Sequence, residues 1–255
     1  PEAQLKAIEH ETNQQLTAAF DAARKAKNAK TELSAKKPLP ARLTDAASEK
    51  RTAGEALTML EAMRAVLRAR LGEDKTIYLY GEDLEDPKGD VFGLTRGLST
   101  AFPGQIINAP LSEATIVGAA IGQAMVGKKP VACIQFADFM LPAFNQIAAE
   151  LGAMWWRTNG QWECPVILMA TCGAYRPGLG PYHAQTFDAT FAHIPGLDVF
   201  MPSTAPDAAG LLNAAFESGR PTVFLFPKNL INDRSVTAAA DAATQFVPVG
   251  KARVT

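Results

Sequence analysis

The stretch APLSEATIVGAAIGQAM, residues 109–125, carries one carboxylate, Glu113, among side chains that are otherwise apolar or small. An acid there has a plain structural use, because Ser112 is a fair N-cap and a first-turn carboxylate complements the helix dipole. Pro110 and Leu111 before it and small residues after it imply a crowded, poorly hydrated helix start. A carboxyl in such a place holds its proton more firmly unless it is partnered. A partly desolvated acid in a strand-to-helix loop is a candidate proton donor or acceptor.

His183 is the second candidate. It lies in GAYRPGLGPYHAQT, a loop with three glycines and two prolines, long enough for an active-site loop. A histidine that only caps the following helix fits the same residues. His193, in FAHIPG, reads as a helix-end residue, and His10 as a solvated one. His183 and His193 have no Cys or acid at ligand spacing, so no zinc or other metal site is expected. Gly178-Leu-Gly180 lacks the third glycine of a dinucleotide fingerprint, and no GxxxxGK[ST] run occurs, which excludes a P-loop. KGDVFGLTRG reads as a flexible loop. Arg96 or Arg176 could meet an anion, although exposed arginines are usually just solvated. Trp155, Trp156 and Trp162 read as core or subunit-interface packing.

The elements that would position these residues follow from the hydrophobic pattern. The runs TIYLYG, PVACIQFA, PVILMAT, LDVFMPS and TVFLFP read as buried strands. Helices are expected over 52–70, from Glu113 to Gly127, over 142–156 and over DAAGLLNAAFES. The last is introduced by a Thr204-Ala-Pro-Asp207 capping box and stopped by Gly219. Continuously apolar strands alternating with helices predict a doubly wound α/β fold, a mainly parallel sheet with helices on both faces. Ligands then bind at the carboxyl ends of the strands.

The 255 residues can bury a sizeable core. A net charge of −1 implies no pull toward nucleic acid or an anionic membrane, and no apolar run reaches the roughly 20 residues of a membrane span. The three cysteines, an odd number without a CxxC pair, point to reduced thiols in a cytoplasmic setting. Residues 1–50 read as a helical arm, apolar at Leu5, Ile8, Leu16 and Phe20, followed by a linker broken by Pro38 and Pro40. The chain opens on Pro1 rather than methionine, which suggests a fragment or a processed product.

Five segments, GEDLEDPKGDVFGLTRGL, NAPLSEATIVGAAIG, IQFADFMLPAFNQIAAE, YHAQT and FAHIPGLDVFMPSTAPDAAGLL, occur in the order of a known family. Together they resemble the β half of the thiamine-diphosphate-dependent decarboxylase component of 2-oxo acid dehydrogenases, specifically its transketolase-type pyrimidine-binding domain. IQFADF with FAHIPG resembles the branched-chain enzymes more than those acting on pyruvate or acetoin. The resemblance implies that Glu113 bonds the aminopyrimidine ring and that Leu111 and Phe139 wall it, with Gln135 as a polar neighbour. It implies that His183 handles substrate or the acyl transfer to a lipoyl group. Phe139 stands where the branched-chain enzymes often carry tyrosine.

The resemblance also implies what lies elsewhere. Gly89-Asp90 is followed by Val91 instead of the second glycine of the family's diphosphate motif, so diphosphate and magnesium would be held by an α-type domain absent here. The implied organisation is residues 1–50 as an arm resembling the end of the α half, 51–235 as the pyrimidine-binding domain, and 236–255 as a linker toward a C-terminal domain. Implied partners are the α-type domain and a lipoyl acyltransferase; the chain would be an excerpt of a fused α–β polypeptide that forms a homodimer, or part of an α2β2-like assembly. The isolated chain would be inactive. A pyruvate or acetoin enzyme, or a catalytically silent interaction domain, is the alternative.

Overall fold

The computed structural model describes residues 1–28, 33–235 and 237–251. Parts of the expected linkers, residues 29–32, 236 and 252–255, lie outside the described residues. The chain divides into two compact units, Pro1–Leu33 and Ser34–Thr255. The first holds one helix, α1 (Glu2–Lys25), none of whose residues is buried. In the second, α2 (Ala41–Thr44) seats Leu43 in a small cluster with Ala214 and Phe246.

The extended segment β1 (Ala53–Leu57) comes next, where a helix over 52–70 was expected. Its backbone is committed to another stretch of chain, with antiparallel bridges from Ala53 and Leu57 to Ala238. The helix α3 (Met59–Glu73) begins only at Thr58, whose hydroxyl accepts from Glu61 N while the Glu61 carboxylate accepts from Thr58 N, a closed capping box. The following elements are β2 (Ile77–Gly81), the short α4 (Leu98–Ala101), β3 (Ile106–Asn108), α5 (Glu113–Met125) and β4 (Lys129–Phe136). The helix expected over 142–156 is fractured. A 3-10 turn covers Ala137–Ala143, a π-helical turn covers Gln146–Leu151, and only α6 (Met154–Arg157) is regular. Pro142 lies inside the first of these and removes one backbone donor. The series closes with β5 (Ile167–Cys172), α7 (Asp188–Ala192), β6 (Asp198–Phe200), α8 (Ala205–Ser218) and β7 (Thr222–Pro227). The Thr204 hydroxyl accepts from Asp207 N at 3.2 Å, and Gly219 ends α8 in the left-handed region.

Strands β2 to β7 form one six-stranded sheet in the order β3-β2-β4-β5-β7-β6, every pair parallel. The doubly wound α/β expectation therefore holds. Alternate residues feed two cores. Val131, Cys133, Ile167, Met169, Phe224 and Phe226 face α3 and α8, whereas Ala132, Ile134, Leu168, Ala170, Val223 and Leu225 face α5 and the broken helix. The sequence pattern missed β3, since three residues with two exposed side chains carry little periodicity.

Gly81 ends β2, and a Cβ placed on it would lie 2.1 Å from the carbonyl oxygen of Cys133 on β4. Only glycine lets the two strand ends approach this closely. Gly81→Ala should cost about 1–3 kcal/mol or more through this collision, read as a lowered denaturation midpoint in urea. An unchanged midpoint would contradict the close approach.

Candidate active site

Parallel pairing brings the carboxyl ends of β2, β4, β5 and β7 to one edge, and an ionisable side chain directly follows β2 (Glu82) and β7 (Lys228). Glu82 and Asp83 follow β2. The chain from β3 through Pro110 delivers Glu113 as the first residue of α5, half-buried, with Ser112 in the cap position. Ser112 makes no side-chain cap bond and its hydroxyl pairs instead with Thr115 at 2.8 Å. Leu111, expected as a wall, is 84% exposed. The crowding anticipated around Glu113 is therefore one-sided: Ile116 and Val117 are buried behind it, while the residue in front stands in the open.

The group driven to keep its proton is Glu82. It is 3% exposed, its Oε1 has no hydrogen-bond partner among the described residues, and its pKa is raised first by burial, then by the charges of Glu113 and Asp83. A buried carboxylate with an unmet oxygen carries a desolvation cost that protonation relieves. Glu82 was not singled out in the sequence, although an acid directly after a strand run ending in glycine was the available signal.

Gln135 sits at an irregularity in β4. Ile134 pairs with Ala170 and Phe136 with Thr171, so Gln135 is the extra residue of a bulge. The bulge re-aims its side chain, and Nε2 donates to Asp83 Oδ2 at 3.1 Å. Lys88 also donates to Asp83 and, ahead of the Gln135 bond, holds that carboxyl below its usual range.

Phe139 and His183 meet. Their rings lie 5.3 Å apart, and both stand edge-on to Phe136, at 5.3 Å and 5.1 Å. Phe92 extends the cluster to Phe136 and Tyr175. The loop carrying His183 is tied back where Gln185 O accepts from Gly173 N at 3.1 Å. His193 caps the end of α7, and His10 pairs with Gln14 within α1. Trp156 and Trp162 are 57% and 49% exposed, on the surface instead of in the core.

The loop after β2 is braced where the sequence suggested flexibility. Asp86 accepts from Gly97 N at 2.7 Å and from Ser99 and Thr100, which lowers its pKa strongly, the Gly97 bond most. Asp90, 8% exposed, accepts from Phe92 N at 3.1 Å and Leu94 N at 3.4 Å. Burial raises its pKa against those bonds. Burial likewise pushes the Cys164 thiol up to about 12 and Cys172 to about 11, and it raises Cys133 further. Among the described residues, no helix is long and apolar enough to cross a membrane.

The strand-end architecture has counterparts. Residues 55–234 match the family model "Transketolase, pyrimidine binding domain". The chain belongs to the transketolase pyrimidine-binding domain family. It is 37% identical over 199 residues to the 2-oxoisovalerate dehydrogenase subunit beta of Bacillus subtilis, covering 78% of this chain and 60% of that one. The same-named subunit of Pseudomonas aeruginosa is 35% identical over 206 residues, covering 78% and 58%. The pyruvate dehydrogenase E1 component subunit beta of Acholeplasma laidlawii is 35% identical over 199 residues, covering 78% and 60%. The chain thus spans about three fifths of the length of these relatives. A solved structure titled "Split gene transketolase, inactive beta4 tetramer" shares the fold, with a TM-score of 0.53 at 23% identity over 68% of this chain and 52% of that one.

Glu82 gives a test of the site's electrostatics. With its pKa raised, the folded state binds the proton more tightly than the unfolded chain does. The associated stability is complete below the ordinary value of 4.5 and is lost as pH rises through the raised one. Glu82→Gln should therefore be more stable than the parent at neutral pH, and the gain should vanish below the ordinary value. A urea-midpoint difference independent of pH would contradict the assignment.

Proposed function

We propose that this chain supplies the pyrimidine side of a thiamine diphosphate site in a 2-oxo acid dehydrogenase. The observation that carries the reading is a half-buried Glu113 beside the buried, unpartnered Glu82, at the edge that also presents Gln135, Phe139 and His183. These residues fit a flat, basic, nitrogen-bearing ring. A carboxyl can share a proton with a ring nitrogen, an aromatic face can stack, and an amide can bond an exocyclic group. When bound, thiamine diphosphate supplies the electron sink for loss of carbon dioxide from a 2-oxo acid.

Each side chain then has a role of its own. Glu113 shares a proton with the ring nitrogen. Phe139 and Leu111 wall the ring, and Gln135, anchored on Asp83, offers a polar edge. His183 moves a proton at the substrate or during acyl transfer to a lipoyl group. Asp90 is not free for a metal, because its carboxylate is turned onto Phe92 N and Leu94 N of its own loop. That supports magnesium and diphosphate being held by an α-type domain, with a lipoyl acyltransferase as acceptor and a dimer or α2β2-like assembly as the working form. The isolated chain is then inactive. On this reading residues 51–235 form the pyrimidine-binding domain, 1–50 an arm and 236–255 a link to a further domain. The unpaired buried cysteines are in keeping with a reducing, cytoplasmic setting.

A branched-chain 2-oxo acid is the favoured substrate, in line with the relatives named for 2-oxoisovalerate. The relative named for pyruvate supports pyruvate as the second reading, which a substrate panel on the complete enzyme would separate. In the complete enzyme, Glu113→Gln should lower decarboxylation by roughly 10²–10⁴-fold, and near-parental turnover would overturn the role of Glu113. His183→Ala should lower acyl transfer to the lipoyl acceptor by about 10²-fold or more, with a smaller loss in decarboxylation read by an artificial oxidant. Equal losses in the two assays would contradict that role.

A further inference from the structure

The strand β7 ends at Pro227, and Lys228, the residue after it, is not used by the reading above. It is 4% exposed, and its Nζ has no hydrogen-bond partner among the described residues. The backbone pins it, since Lys228 N donates to Cys172 O at 2.9 Å at the end of β5. The ammonium lies 4.8 Å from the centroid of the Phe136 ring, a cation–π contact in a desolvated place. That ring and the His183 imidazole form an edge-type pair, with centroids 5.1 Å apart and planes at 69°.

Asp138 is the nearby opposite charge. It is 7% exposed, and its Oδ2 is also buried without a hydrogen-bond partner among the described residues. Its Oδ1 accepts from Gln185 N at 3.3 Å, two residues beyond His183 on the same loop. Burial lowers the pKa of Lys228, and the charges of Asp138 and then Cys172 act in the opposite direction. Two opposite buried charges that feel each other without a direct hydrogen bond are a costly way to stabilise a fold. Groups kept under such conditions cluster at functional sites.

We propose that Lys228 and Asp138 act as a positioning pair for His183. Lys228 fixes the Phe136 ring on which the imidazole leans, and Asp138 holds the loop backbone at Gln185. Lys228 acts through the ring and not on substrate, because its ammonium is closed off from solvent. The inference rests on the reading of His183 as an active-site group, yet the placement of that ring can be read without turnover.

The test uses Lys228→Met and Asp138→Asn, each of which removes one charge at nearly constant shape. Histidine ring proton–carbon correlation spectra of the chain report on His10, His183 and His193 separately. Both variants should displace the His183 resonance and leave those of His10 and His193 in place. A His183 resonance unmoved in either variant, or all three moving together, would overturn the pair. The double variant Lys228→Met/Asp138→Asn removes both charges at once and keeps the region neutral, which guards against misfolding of a single variant. Its His183 resonance must be displaced as well, and a parental shift there overturns the proposal.

In the complete enzyme, Lys228→Met should lower kcat for acyl transfer by roughly tenfold or more through misplacement of the imidazole. KM for the 2-oxo acid should stay within about twofold, as for a group that leaves ground-state binding alone. Combined with His183→Ala, it should add no further loss, and additive losses would overturn the coupling. If His183→Ala proved silent in transfer, the catalytic reading of His183 would fall, while the spectra would still decide whether Lys228 and Asp138 place its ring.

Discussion

Parallel pairing is the constraint on which the rest depends. Strands that run the same way must all end at the same edge, and the connections between them must cross over a face of the sheet. Because β2, β4, β5 and β7 are successive neighbours in the sheet, the residues at their carboxyl ends are delivered to one edge. Glu82, Gln135, Phe136, the loop bearing His183, and Lys228 come from stretches up to about 150 residues apart in sequence. Nothing local holds them together. The two cores on either face of the sheet do, by fixing where each strand stops.

The same edge concentrates polar groups that the interior does not satisfy. Glu82, Asp138 and Lys228 each keep a buried polar atom without a hydrogen-bond partner among the described residues. In an ordinary core such groups are rare, because each carries a desolvation penalty. Here they lie beside a bulged strand, a glycine closing on a neighbouring carbonyl, and a cluster of aromatic rings. The sheet is thus least regular at the edge where ligands of doubly wound folds bind. Elsewhere its strands are continuous and apolar.

Irregularity has definite causes in this chain. The bulge at Gln135 turns an amide toward Asp83 instead of into a core. The loop after β2, glycine-rich and apparently loose in sequence, is held by two aspartates that accept backbone N–H groups, Asp86 and Asp90. Carboxylates used in this way organise a loop and are no longer available as ligands. That distinguishes Asp90, which is turned inward, from Glu113, whose neighbours leave it half-open.

Much of the architecture was legible in the residues alone. The apolar runs of β2, β4, β5 and β7, the Thr204 cap, the Gly219 stop and the start of α5 at Glu113 are set by hydrophobicity and by local hydrogen bonding, which act within a few residues of the chain. The residues also marked Glu113 and His183, and the family resemblance added Gln135 and Phe139. It could not reveal β1, whose extended form comes from bridges to Ala238, nor the fracture of the helix over 142–156. It could not reveal that Leu111 stands exposed, or that Glu82, Asp138 and Lys228 are buried and unpaired. Burial and charge proximity depend on which strands become neighbours, and that is a property of the packed sheet. The sequence by itself determined the alternating elements and the types of the reacting groups. Tertiary structure alone decided which of those groups share an edge, and which of them lost their water.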